Sequence, residues 1–181
     1  MFKLKNYLPK DVFKTVFDID YNKLYEDGKR IILFDIDNTL VSYSESVPTA
    51  DLLGLFERIK SIGLDIIFMS NNHKERVGKF AAAVDARYID NALKPFKRGY
   101  RKVLKLVYPH YKETIVAVGD QLLTDVLGSN RFGIDCYLVK PLAVNTEKWY
   151  TRINRKIEAF ILKKIKNKYP ESYRKLEVWY E

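Results

Sequence analysis

Three features of the sequence predict an α/β fold, a mostly parallel sheet with helices on both faces. From residue 30 onward, apolar runs of strand length alternate with segments of helical period. The most suggestive polar residues fall just after those runs, at the sheet edge where open α/β proteins bind their ligands. The chain has 181 residues, enough for one sizeable core but short for two.

The first strand is expected from Arg30 to Asp35, through Ile31, Ile32, Leu33 and Phe34. A helix opens near Pro48-Thr49, where proline suits a first helical position, and stops at Gly63. Leu64 to Met69 reads as the second strand, His73 to Val84 as a helix and Arg87 to Ile89 as a short third strand. Pro95 opens a further helix, with Val103, Leu104 and Val107 on its inner face, and Pro109 ends it. Thr114 to Val118 and Asp135 to Val139 give two more strands, separated by a helix beginning near Leu123 or Thr124. Right-handed crossovers place helices on both faces.

Val12, Phe13, Val16 and Phe17 recur at helical spacing before this region, and Ile153, Ile157, Phe160, Ile161 and Ile165 do so after it. One domain is therefore expected over 1–181. Its core spans about 28–142, with a helical segment over about 1–27 and basic amphipathic helices over about 146–181.

The composition, 47% hydrophobic and 30% charged with six Pro and eight Gly, belongs to a folded chain rather than a disordered one. Much of the formal charge of +9 lies near the C-terminus, in Lys148, Arg152, Arg155, Lys156, Lys163, Lys164, Lys166, Lys168, Arg174 and Lys175. Such a surface attracts anions: a phosphorylated metabolite, an acidic membrane or RNA. The alternative is a solvated basic helix. Cys136 stands alone, so no internal disulfide forms. The start carries charge too early for a signal peptide, and no apolar stretch approaches the roughly 20 residues that span a bilayer. The expected location is cytoplasmic, with the inner face of the membrane as a peripheral contact.

Four segments converge on the strand ends: Asp35-Ile36-Asp37-Asn38-Thr39, Ser70-Asn71-Asn72, Lys94-Pro95, and Gly119-Asp120 with Asp125. Taken alone, the first also suits a helix cap or a structural cation. Several carboxylates at one edge repel one another unless a hard cation sits between them, and oxygen-only ligands favour magnesium. Neither His73 nor His110 has a partner at zinc-like spacing. Ser70 and Asn71 sit where a strand turns into a helix, suited either to capping or to phosphate binding. Lys94 either faces water or is held in the site by the proline that follows.

In this order the four segments resemble the motifs of the haloacid dehalogenase (HAD) superfamily of phosphatases: Asp-x-Asp-x-Thr, then Ser, then Lys, then an acidic pair. Leu40 after the first motif, Ser70-Asn71-Asn72, and Gly119-Asp120-Gln121-Leu122-Leu123-Thr124-Asp125-Val126 are similar to the YqeG-type group of HAD subclass IIIA. That likeness takes in Tyr7-Leu8-Pro9, Val16-Phe17-Asp18-Ile19 and Thr151 to Glu158. The group is in turn similar to mitochondrial phosphatidylglycerophosphate phosphatases.

The resemblance implies a magnesium-dependent phosphomonoester hydrolase. Asp35 is its nucleophile, forming an aspartyl-phosphate, and Asp37 its general acid and then base. It implies Mg2+ held by Asp35, the backbone carbonyl of Asp37 and Asp120, with Asp125 helping directly or through water. Ser70, Asn71 and Lys94 bind the phosphate oxygens, and Thr39, counted with them on the substrate side, orders the first loop. Only about one helix separates the first motif from Ser70, which leaves no room for a large cap. An open site favours a phosphate on a large body, such as an anionic phospholipid headgroup. The alternatives are a soluble sugar-phosphate or nucleotide phosphatase, and a binding module for RNA or the ribosome, for which no RNA-binding motif is present. Basic residues beside Ile153, Ile157, Phe160 and Ile161, with Trp149 and Tyr150, suit a helix lying on an anionic membrane or one packed on its own domain.

Overall fold

The computed structural model of the protein describes residues 3–143 and 149–180. Met1, Phe2, Lys148 and Glu181 lie outside the described residues, as do the side chains of Trp149, Tyr150, Val178 and Tyr180. Among the described residues a six-stranded sheet runs in the order β1-β6-β5-β2-β3-β4, with every pairing parallel. Its strands are β1 (Asp11–Phe13), β2 (Ile31–Phe34), β3 (Asp65–Met69), β4 (Arg87–Ile89), β5 (Ile115–Gly119) and β6 (Asp135–Val139). The helices are α1 (Tyr21–Glu26), α2 (Ala50–Ile62), α3 (Lys74–Ala82), α4 (Lys97–Leu106), α5 (Leu127–Phe132), α6 (Trp149–Lys168) and α7 (Pro170–Tyr180). Among the described residues there is no large cap domain.

Side chains of a strand alternate between faces, and both faces here are apolar, which explains the unbroken hydrophobic runs. Ile31 and Leu33 of β2 pack with Tyr100 and Val103 of α4, Phe132 of α5, Ile161 and Ile165 of α6, and Leu176 and Trp179 of α7. Ile32 and Phe34 point the other way, onto Leu24 of α1, Leu52, Phe56 and Ile59 of α2, and Phe80 of α3. Phe34, Phe56, Phe68 and Phe80 form an edge-to-face series with centroids 5.2 to 6.0 Å apart. Such pairs add about 0.5–1.5 kcal/mol each beyond burial.

Helix α2 starts where expected, with the Thr49 hydroxyl accepting the Leu52 N–H, and Gly63 ends it at φ 96°, a conformation costly for any side chain. The helix expected to open at Pro95 begins two residues later, after Phe96. After β5 the chain makes a π turn over Leu122–Val126 before α5. Within this turn the Asp125 Oδ2 folds back to accept the Gln121 N–H at 3.1 Å.

The N-terminal helix expected over Val12 to Phe17 is not formed. Val12 and Phe13 belong to β1, which pairs with β6 in the register Asp11↔Tyr137, so the core begins well before residue 28. Val16 is buried and Phe17 exposed in a 3₁₀ turn closed by a reciprocal Thr15–Asp18 capping box. Four apolar residues fit a helical period, but adding a strand to an open sheet edge satisfied the backbone better.

The C-terminal stripe divides. Ile161 and Ile165 are buried, whereas Ile153, Ile157 and Phe160 are exposed. No described helix is long and apolar enough to cross a membrane.

Candidate active site

Parallel strands bring the four polar segments to one edge. Asp35 follows β2, and its N–H donates to Val118 O on the adjacent β5. Ser70 follows β3, and Asp120 follows β5 next to β2. Lys94 arrives on the loop after β4, where its N–H donates to Asn71 Oδ1 at 2.7 Å and its carbonyl accepts from Asn71 Nδ2 at 3.1 Å.

Asp35, Asp120 and Asp125 are buried, with one carboxylate oxygen of each lying within 4.8 Å of the others. Lys94 Nζ bridges Asp35 Oδ1 and Asp125 Oδ1, at 2.6 Å from each. The Thr39 hydroxyl lies 3.3 Å from Asp35 Oδ2 and 3.2 Å from Asp120 Oδ1, so its one proton serves whichever carboxylate needs it. Thr39 therefore stands behind the cavity wall as a brace rather than on it. Asp125 is spent on Lys94, the Gln121 N–H and the Thr124 hydroxyl. A Cβ on Gly119 would come within 2.3 Å of the Asp125 carboxyl carbon, which is why glycine must precede Asp120.

Burial, with Asp125, Asp120 and Asp37 adding to it, pushes the Asp35 carboxyl well up against the opposing Lys94. Burial likewise raises Asp120 to about 6, against Arg155. Burial alone would lower Lys94, but Asp125 and Asp35 outweigh it and keep the ammonium charged. Three buried carboxylates meet two cations, Lys94 and Arg155, which leaves negative charge unbalanced, and the clustered ligand atoms are all oxygens. That donor set fits a hard divalent cation.

Asp37 faces elsewhere. Its Oδ1 accepts the Arg76 Nε–H at 2.7 Å, and its Oδ2 lies 3.3 Å from both Ser70 Oγ and Asn72 Nδ2. Its side chain stands outside the three-carboxylate group. A cavity of about 330 Å³ opens over Asp35, Asp37, Ser70, Asn71 and Lys94. Tyr43, Gln121, Thr151 and Asn154 form part of its rim.

Sequence reasoning missed Arg76, Tyr43 and the α6 residues. Arg76 lies in the first turn of α3, and its Nε and an Asn72 amide N–H both reach Asp37. Thr151 and Asn154 stood out only as members of the run Thr151 to Glu158 that resembles the YqeG-type group, with nothing to mark them as site residues. Tyr43 Oη, 3.3 Å from Thr151 Oγ1, joins the first loop to α6.

Comparisons with known proteins bear on the family. The HAD-hydrolase-like family profile matches residues 92–165. The "Probable phosphatase YqeG" of Bacillus subtilis is 37% identical over 164 residues, covering 91% of this chain and 94% of that protein. The chain belongs to the YqeG-type HAD phosphatases. "Phosphatidylglycerophosphate phosphatase 1, chloroplastic/mitochondrial" of Arabidopsis thaliana is 27% identical over 166 residues, covering 87% of this chain but only 47% of that protein. An uncharacterized protein of Listeria monocytogenes serotype 4b shares the fold, with a TM-score of 0.52 at 17% identity over 66% of this chain and 85% of that one. The YqeG-type chain is thus a phosphatase, and a phosphomonoester is its substrate class.

Proposed function

We propose that this phosphatase hydrolyses phosphomonoesters through an aspartyl-phosphate on Asp35, with Mg2+ as its cation. The observation that supports this most is a buried nucleophile-type carboxylate that reaches the cavity while two more carboxylates and an ammonium crowd behind it.

Asp35 attacks phosphorus as the bond to the leaving oxygen breaks. Asp37 delivers a proton to that oxygen, then takes one from the water that cleaves the acyl-phosphate. Asp35, Asp120 and the Asp37 carbonyl would hold Mg2+, whose charge lets an anionic nucleophile meet an anionic phosphate. Asp125 fixes Lys94 and the acidic loop. Ser70, the Asn71 backbone and Lys94 donate to phosphoryl oxygens as charge spreads over them.

The finer reading is an anionic phospholipid headgroup, of the phosphatidylglycerophosphate kind, met at the inner face of the membrane. It rests on the name of the Arabidopsis relative, on the missing cap and on the exposed Ile153, Ile157 and Phe160 among lysines.

Magnesium-dependent hydrolysis of an aryl phosphate tests the chemistry. Activity in wild type that falls to background in Asp35→Asn is expected, and a fully active Asp35→Asn would overturn the mechanism. Phosphatidylglycerophosphate in mixed micelles, compared with sugar phosphates and nucleotides, tests the substrate. Faster turnover of the soluble esters would remove the lipid.

A further inference from the structure

Asp120 is gripped from outside the sheet by the C-terminal helices. The Arg155 guanidinium of α6 pairs with Asp120 Oδ2 and donates to the Asp120 carbonyl at 2.9 Å, while Trp179 Nε1 of α7 donates to the same carbonyl at 3.1 Å. Glu158, one turn on from Arg155, accepts from Arg155 Nη1 at 3.1 Å and from the Leu123 N–H at 3.0 Å. The Arg155 guanidinium also lies 5.6 Å from the centre of the Trp179 ring. Two helices therefore hold both ends of the loop from Asp120 to Leu123.

We infer that Arg155, steadied by Glu158 and Trp179, is a positioning residue for the divalent cation. Its two contacts fix the backbone and one carboxylate oxygen of Asp120. The other oxygen, Oδ1, is left on the side of Thr39 and Asp35. A carboxylate with a free rotor would spend part of its time turned away from Asp35. Outer partners of this kind are typically worth 10- to 100-fold in metal affinity.

Charge alone predicts the reverse. Removing a cation beside a metal ligand makes the site more negative and should tighten Mg2+ binding. The sign of the change therefore separates positioning from simple electrostatics. A merely structural ion pair would leave Mg2+ affinity unchanged.

The inference rests on Asp120 being a metal ligand. Calorimetric titration of Mg2+ into the metal-stripped full-length protein tests both, without reference to turnover. Wild type is expected to bind. Arg155→Gln should bind about tenfold or more weakly, and Arg155→Lys, which keeps the charge but not the paired contacts, should also be weakened. Trp179→Phe, which loses only the donor to the Asp120 carbonyl, covers the case in which Arg155→Gln does not fold, and should be weakened less. Wild-type or tighter affinity in these variants overturns the positioning role and leaves the metal site standing. No binding by wild type overturns both.

Discussion

The opening loop and the C-terminal helix pair both hold Asp120, by different means. From the loop comes one neutral hydroxyl, Thr39, shared between Asp120 and Asp35. From the helices come a guanidinium, an indole N–H and, through Glu158, a bond to the following loop. The loop carries Asp35 and Asp37 on the cavity wall, whereas Arg155, Glu158 and Trp179 stand behind it, although Thr151 and Asn154 of α6 reach the rim. Damage on the loop side should therefore show in turnover, and damage on the helix side in metal binding and stability.

The hardest test of that division is Asp37→Asn. The substitution removes the proposed proton donor but keeps the backbone carbonyl, and the side chain stands outside the three-carboxylate group. We expect kcat to fall by about 10²- to 10⁴-fold while calorimetric Mg2+ affinity stays near wild type. Loss of Mg2+ binding would place the side chain in the metal site instead.

Arg76 sharpens the loop side. It donates to Asp37 and, through Nη2, to the carbonyls of Ser42 and Glu45 at 3.2 and 2.8 Å, so it ties the acid to the loop beyond it. Arg76→Met should lower kcat about 10- to 100-fold, the scale of an ångström of misplacement. Arg76→Lys should recover part of the loss. Unchanged kcat in both would show that Asp37 needs no support from α3.

What the sequence made legible follows the same division. Asp35, Asp37, Ser70, Lys94, Asp120 and Asp125 could be read because acids, a hydroxyl and an ammonium at strand ends imply a specific chemistry, and parallel topology then forces them together. Arg155 could not be read. It is one basic residue among many on α6, and only the docking of that helix turns it toward a buried carboxylate. Glu158 was hidden similarly, since a glutamate on a helix ordinarily faces water. The β1 strand was missed because three residues carry too little periodicity to compete with a helical reading.

Glu158 also gives the helix side a pH signature. Burial, against Arg155 and the Leu123 N–H, raises its carboxyl from 4.5 to about 7. Between those values the folded protein keeps a proton that the unfolded chain has released. Stability from this group is thus greatest below about 4.5, declines as pH rises towards 7 and is flat beyond. Asp120, raised to about 6, tilts the curve the same way, so the informative quantity is the difference between variants. Glu158→Gln mimics the protonated form and should flatten the decline by on the order of 1–3 kcal/mol, each pH unit being worth about 1.4 kcal/mol. Thermal midpoints from pH 4.5 to 8 in chelator measure it. Parallel curves would mean that Glu158 ionises as it does in water.

The smallest expected effect lies on the outer side of the same helix. Phe160 is 58% exposed and carries the Lys164 ammonium 4.4 Å from its ring centre, while Ile161 beside it is 1% exposed. Phe160→Ser should change stability by less than about 0.5 kcal/mol, as surface substitutions usually do, and leave Mg2+ affinity and aryl phosphate turnover unchanged. If the exposed stripe meets an anionic bilayer, the variant should lose activity selectively on lipid in vesicles, because it removes an apolar contact among lysines that attract the headgroups. Equal activity of variant and wild type on vesicles would confine the work of α6 to its inner face, where Arg155 and Glu158 reach the acidic loop.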